Sequence, residues 1–322
     1  MSRSVEAQLV KYLADAHAVE EQALVQMRRA PALAGDPRLA AAFREHLVET
    51  EGHERTIRAR LEALGAEPSE VKDAAGRAGA WGMLLFARTQ PDTPGKLTAH
   101  AFSYEHMELA TYGLLDAAAK FAGDPETAAA ATTIAGEEKR MAERLASLFE
   151  VAVESSLREV SGDDLGVHLD RYLKDAHALE HQAEQLLRIA PKLVADGDLA
   201  TIFASHLEQT RGQLRRVADR LRARGSSPSR LKDAALRGGA LNVGAFFAVQ
   251  PDTTVKLAGF AYAFENLELA VYRLVRLVAE RASDPETAEL VTEIAAEEGA
   301  AAELIAATWE RTMAERMGLS GT

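Results

Sequence analysis

The chain has 322 residues, of which 27% are charged, 47% hydrophobic and 6% aromatic, a balance typical of soluble globular proteins. It has no cysteine, which excludes disulfides, iron–sulfur clusters, thiolate zinc sites and a cysteine nucleophile. Its net charge of −12 argues against nucleic acid or an anionic membrane as a partner. The N-terminal residues lack the apolar core of a signal peptide and no stretch approaches 18 uninterrupted apolar residues, so we expect a cytoplasmic protein.

One segment of sequence occurs twice, at an offset of 160 residues. The run Tyr12–Glu20 returns as Tyr172–Glu180, and 66 of the 142 positions from 9 to 150 are identical at this offset without a gap. Self-similarity of this kind marks a tandem duplication. We therefore predict two domains, residues 1–158 and 163–322, which meet near residues 155–165. The two copies would then form an intramolecular pseudo-dimer.

Each copy is predicted to be almost wholly helical, because apolar and small residues recur every three or four positions. In copy 1 the first helix covers about residues 4–30 and stops at a proline. The second runs from the Asp-Pro pair at 36–37 to Gly65, since aspartate is a preferred N-cap and proline suits the first helical position. The third follows Thr93-Pro94 and ends near Gly123. The fourth starts at Asp124-Pro125 and continues to about residue 155.

The connection between the second and third helices determines the topology. It extends from Gly65 to Asp92, is predicted to contain a shorter helix after Pro68-Ser69, and is long enough to cross the bundle. The other two turns are short, so the helices that they join are antiparallel neighbours. The predicted fold class is all-α, with two tandem ferritin-like four-helix bundles, each with one long crossover.

Each core-facing stripe of copy 1 is apolar except at mid-length. No lysine or arginine lies on these stripes, and the acids that interrupt them are Glu20, Glu105, Glu108 and Glu138. An unpaired ionised carboxylate is costly to bury, so such groups must be protonated, hydrated or bound to a cation. Two divalent ions would balance the four charges. His46 and His53, with Glu49 on the flank, could complete the coordination of iron or manganese.

A simpler interpretation is that single inward acids are hydrated or hydrogen-bonded, for example to Tyr12, Tyr112 or Thr50. Polar residues interrupt the apolar stripes of all four helices at mid-length, and the same pattern recurs in the second copy. This favours the metal site instead. The second copy has Gln209 in place of Glu49 and Gln213 in place of His53. Copy 1 is therefore the better candidate, and the weaker candidates in copy 2 are Glu180, His206, Glu265, Glu268 and Glu298.

The segments His46–Gly65 and Tyr104–Tyr112 resemble the YciE/YciF-type bacterial stress proteins of the ferritin-like superfamily. Asp15–Gln22 and Glu137–Lys139 fit the same pattern, and the resemblance covers nearly all of each copy. It implies a rubrerythrin-like fold with a dinuclear iron or related site, serving stress defence. Rubrerythrin-type bundles carry Glu-x-x-His on helices two and four. Here helix two has a threonine in place of that glutamate, and helix four has a methionine in place of that histidine.

Two functional hypotheses follow. The first is a ferritin-like metal protein acting as an oxidase, a peroxide-consuming enzyme or an iron handler, with metal ions and oxygen or peroxide as partners and Tyr112 as a hydrogen-bond donor beside the ligands. The second is a non-catalytic helical scaffold or stress-interaction protein without metal. The sequence from Arg211 to Arg237 is rich in basic residues. It could contact nucleic acid, but we favour the interpretation that it is a solvated helix face.

Overall fold

The computed structural model describes residues 3–70, 72–73, 92–194, 197–229, 232–233 and 253–316. Over these ranges the chain is helical and contains no strand. It divides into two compact units, of which unit 1 holds the residues up to Arg158 together with the C-terminal helix, and unit 2 holds Glu159–Thr308. The prediction of an all-α, duplicated helical bundle is confirmed.

The helices follow one another in the same order in both halves of the chain. The first half contains α1 (Arg3–Met27), α2 (Ala30–Leu33), α3 (Pro37–Ala63), α4 (Thr93–Ala122), α5 (Pro125–Ser147) and α6 (Phe149–Ser156). The second half contains α7 (Leu165–Ile189), α8 (Gly197–Ala223), α9 (Thr253–Arg281), α10 (Pro285–Ala306) and α11 (Trp309–Arg316), with 3-10 turns at Gly162–Asp164 and Ala190–Lys192.

Four long helices form the bundle of each unit. In unit 1, α1 packs on α3 and α4, and α5 packs on the same two helices. In unit 2, α7, α8, α9 and α10 repeat these contacts. The core of unit 1 consists of fully buried apolar side chains, among them Leu9, Leu13, Leu39, Phe43, Ile57 and Leu115. The short crossover helix predicted after Pro68-Ser69 falls mostly outside the described residues.

The predicted caps determine where the helices begin and end. The Asp36 carboxylate accepts a hydrogen bond from the Arg38 amide at 2.8 Å, and Pro37 takes the first turn of α3. The Asp124 carboxylate likewise accepts from the Thr127 amide at 3.0 Å. Gly123 closes α4 with φ of 70°, a left-handed conformation that glycine adopts without strain. Since these signals are local, the sequence was sufficient to place these boundaries.

Two helices differ from the prediction. The first helix ends at Met27, and the short α2 follows it at Ala30. The fourth ends at Ser147 rather than near residue 155, because the backbone turns at Leu148 and a separate helix, α6, begins. The turn directs the Phe149 ring into the unit, where its centroid lies 5.7 Å from that of Phe102. Burial of this ring stabilises the change of direction.

The C-terminal helix α11 packs on α4 within unit 1. In the sequence repeat α11 is the counterpart of α6, and the predicted boundaries assign α11 to copy 2. The contact requires a glycine, because a Cβ added at Gly113 would lie 2.9 Å from Cε3 of Trp309. The corresponding position in the second copy is Arg273.

The basic stretch of the second copy makes ion pairs within unit 2. Arg220 lies 2.5 Å from Asp284, and Arg224 lies 2.7 Å from Asp170. Arg211 lies 3.3 Å from Glu184. These arginines therefore connect α8 to acidic groups of neighbouring helices. None of the described helices combines the length and the apolar character that a membrane crossing needs.

Candidate metal centre

Six buried polar side chains converge at mid-height in unit 1. Each is at most 3% exposed, and the set consists of Glu20 on α1, His46 and His53 on α3, Glu105 and Glu108 on α4, and Glu138 on α5. Spacings of three and seven residues keep each pair on one face of its helix. The structure therefore brings together all the predicted ligands of copy 1 except Glu49.

The first group that could hold a metal ion consists of His46, Glu105, Glu108 and Glu138, whose ligand atoms all lie within 4.8 Å of one another. His46 Nε2 is 3.1 Å from Glu105 Oε2 and 3.3 Å from Glu138 Oε2. Glu108 is buried, and neither of its carboxylate oxygens has a hydrogen-bond partner among the described residues. A buried carboxylate without a partner is costly, and a cation removes that cost.

The second group consists of Glu20, His53 and Glu138. His53 Nδ1 lies 2.8 Å from Glu138 Oε1 and 3.9 Å from Glu20 Oε2. The other oxygen of Glu20 accepts a hydrogen bond from the Tyr112 hydroxyl. Glu138 belongs to both groups, with one oxygen near each histidine. This is the placement that a carboxylate bridging two ions needs.

The outer nitrogen of each histidine also has a carboxylate partner. His46 Nδ1 is 3.0 Å from Glu49 Oε2, and His53 Nε2 is 2.7 Å from Glu137 Oε2. Such partners orient an imidazole ring and increase its basicity as a ligand. Glu49, which the sequence suggested as a ligand, thus lies on the outer side of the His46 ring and in neither group. The Thr50 hydroxyl donates to the His46 carbonyl rather than to a carboxylate.

The pKa values of the cluster reflect burial without a lysine or arginine nearby among the described residues. Burial raises the pKa of Glu20 to about 8 and that of Glu105 to about 7, and it raises the pKa of Glu108 well above its ordinary value. Burial acts in the same direction on Glu138, but hydrogen bonds from the two histidines outweigh it and lower the pKa to about 2. Burial lowers the pKa of His53, yet the contact with Glu138 reverses this and raises it to about 9.

No lysine or arginine in the described part of the chain forms an ion pair with any of these four glutamates. Within those ranges, His46 and His53, when protonated, are the positive groups that contact these glutamates. Without an external cation, the cluster must therefore retain protons on part of its carboxylates.

Unit 2 repeats only the first of the two groups among its described residues. His206, Glu265, Glu268 and Glu298 lie close together, with His206 Nε2 2.7 Å from Glu265 Oε2 and 3.3 Å from Glu298 Oε2. Glu180 accepts a hydrogen bond from the Tyr272 hydroxyl and stands apart from this group. Burial raises the pKa of Glu298 to about 8, whereas hydrogen bonds from both His46 and His53 lower the pKa of its counterpart Glu138.

A family model described as Domain of unknown function (DUF892) matches residues 4–158 and again residues 165–318. The chain belongs to the DUF892 family. Each DUF892 match covers one copy of the duplication, and each contains a buried group of histidine and glutamate side chains. These groups in the two DUF892 repeats are compatible with metal binding.

Sequence reasoning gave Glu137 no role, although the structure places its carboxylate against His53. The only available signal was its repetition as Glu297, next to the second copy's central glutamate. It also gave no individual role to Arg216, which pairs with that same Glu297. Both contacts join different helices, so the periodicity of a single helix does not report them.

Proposed function

We propose that unit 1 binds two divalent iron or manganese ions, and that Glu138 would be a ligand in both of its sites. The observation that carries this proposal is the position of Glu138, which belongs to both ligand groups and has one oxygen near each of the two histidines. Two adjacent sites with one carboxylate in common describe a dinuclear centre. Oxygen and imidazole donors without thiolates suit iron and manganese.

The donor set fits such a pair. When ionised, the four buried glutamates carry four negative charges; they are Glu20, Glu105, Glu138 and Glu108, whose oxygens have no hydrogen-bond partner among the described residues. Two divalent ions supply the opposite charge, so the loaded centre would be neutral once the imidazoles are deprotonated. The residues proposed to hold the ions are Glu20, His46, His53, Glu105, Glu108 and Glu138.

We infer a role in stress defence, which follows from the resemblance to YciE/YciF-type proteins. When bound, iron or manganese would supply redox chemistry toward oxygen or peroxide at open coordination positions. Within the protein, Tyr112 holds one oxygen of Glu20 and leaves the other directed to the cluster. His53 connects buried Glu138 to Glu137, whose side chain is 31% exposed. In the metal-free state, when His53 Nδ1 is not a ligand, this path can move a proton between Glu138 and the surface.

The test is the metal content of the purified full-length chain after reconstitution with iron or manganese, measured by plasma mass spectrometry. Glu138→Gln removes the shared charge and should lose both ions of unit 1. The matched control is Glu143→Gln, an exposed acid on the same helix, which should lose none. A wild-type chain that binds no metal and is equally stable after chelation would refute the proposal. That result would favour the non-catalytic scaffold.

A further inference from the structure

The surface next to the unit 1 cluster forms a groove between α3 and α5. Its empty volume is about 890 Å³, including the open solvent at its mouth. His53 lies in its lining, together with Glu49 and Glu137. The groove therefore leads from solvent, past two carboxylates, to a histidine of the second ligand group. Its walls also include two small side chains, Thr56 and Thr133.

The corresponding surface of unit 2 carries larger, charged side chains. Arg216 stands where unit 1 has Thr56, and Glu293 stands where it has Thr133. The Arg216 guanidinium, on α8, pairs with Glu297 on α10 and lies 3.7 Å from Glu293 on the same helix. These contacts connect the two helices across the position of the groove. We call this set of contacts the Arg216 bridge.

Next to the Arg216 bridge, unit 2 lacks the counterpart of one candidate ligand of unit 1, His53. Gln213 replaces His53, and its amide nitrogen donates to Glu297 at 2.9 Å. A metal would bind the amide through its oxygen, Gln213 Oε1, which is buried without a hydrogen-bond partner and is a weaker donor than an imidazole nitrogen. Among the described residues of unit 2, no group of histidine and glutamate side chains therefore repeats the second ligand group of unit 1, while the first group persists around His206.

From these differences we infer that the two units are unlike centres. Unit 1 binds two divalent cations, which enter through its groove. Unit 2 binds one, and the Arg216 bridge blocks the corresponding entry route. This inference rests on the proposed function of unit 1. The full chain then binds three ions, and the single ion of unit 2 enters and leaves slowly.

The experiment uses Mn²⁺ with the full-length chain and isolates each unit by removing the central glutamate of the other. Glu298→Gln should leave two bound Mn²⁺ per chain with the paramagnetic resonance spectrum of a coupled pair. Glu138→Gln should leave one, with the hyperfine-split spectrum of an isolated ion. Equilibrium dialysis gives the stoichiometry, and stopped-flow mixing gives the rate of uptake.

Three further changes and one control are made in the Glu138→Gln chain. Arg216→Thr should accelerate Mn²⁺ uptake about ten-fold or more at unchanged stoichiometry, because a hydrogen bond to a charged group must otherwise open. Glu297→Gln removes the other half of the bridge and should act in the same direction. Gln213→His should raise the stoichiometry from one ion to two. The matched control is Arg211→Thr on the same helix, whose partners are Glu184 and Glu208.

The outcomes separate this inference from the proposed function. If no variant or wild-type chain binds Mn²⁺, the proposed function fails and this inference fails with it. Two ions in unit 2 overturn this inference alone, as does an uptake rate that neither Arg216→Thr nor Glu297→Gln changes. One ion in unit 2, with faster uptake in both bridge variants but not in the Arg211 control, supports it. Circular dichroism confirms that each variant is folded.

Discussion

The buried position of Glu20 predicts an unusual pH dependence for the metal-free protein. Burial raises its pKa from 4.5 to about 8. The folded state therefore holds the proton more tightly than the unfolded state does. The contribution of Glu20 to stability is fully present below pH 4.5 and is lost as the pH rises toward 8, the opposite of the usual carboxylate. Between pH 4.5 and pH 7 the loss amounts to about 3 kcal/mol, at about 1.4 kcal/mol for each pH unit.

Glu20→Gln removes this titration while keeping an oxygen that can accept from Tyr112. In chelator, the difference in unfolding free energy between the variant and the wild type should shift by about 3 kcal/mol in favour of the variant from pH 4.5 to pH 7. Urea denaturation measures this difference. In a Trp81→Phe background, Trp309 is the sole tryptophan, and its packing on Gly113 makes its fluorescence report on unit 1.

The test depends on how the difference in unfolding free energy between variant and wild type changes from pH 4.5 to pH 7, because any packing cost of the amide is the same at both pH values. Glu62→Gln, at an exposed position on α3, is the control and should show no such shift. Saturating Mn²⁺ should reverse the effect, because ligation requires the ionised carboxylate. An equal difference at both pH values in chelator would refute the argument that Glu20 is buried without adequate compensation.

Three further predictions concern stability. Mn²⁺ at a hundred times its dissociation constant should stabilise unit 1 by about 2.7 kcal/mol for each ion that it binds, measured in thermal melts, and Glu138→Gln should remove this gain from unit 1. Leu13→Ala, at a fully buried position, should cost about 2–5 kcal/mol in urea denaturation, whereas Val48→Ala, at 66% exposure, should change little. Asp124→Ala should cost about 1 kcal/mol, because its carboxylate caps α5 and pairs with Arg60. The pKa of Asp124 is lowered mainly by hydrogen bonds that outweigh burial, so this last cost should shrink as the pH falls through that pKa.

The sequence by itself determined the duplication, the helical class and most helix boundaries. These features depend on local signals, such as the three-to-four spacing of apolar residues and the caps at Asp36 and Asp124. It also predicted that the acids at mid-helix face inward, since the side chain's position on its helix follows from periodicity. All four carboxylates and both histidines proposed for copy 1 do come together in unit 1.

Only the tertiary structure decided relations between helices. It directs one oxygen of Glu138 to each histidine and places Glu137 against His53. It also places Trp309 on Gly113 in unit 1, where the repeat would assign it to the second copy. Periodicity gives the direction of a side chain relative to its own helix. Distances of about 3 Å between side-chain atoms on different helices depend on how all the helices pack, and the sequence of one helix does not specify that.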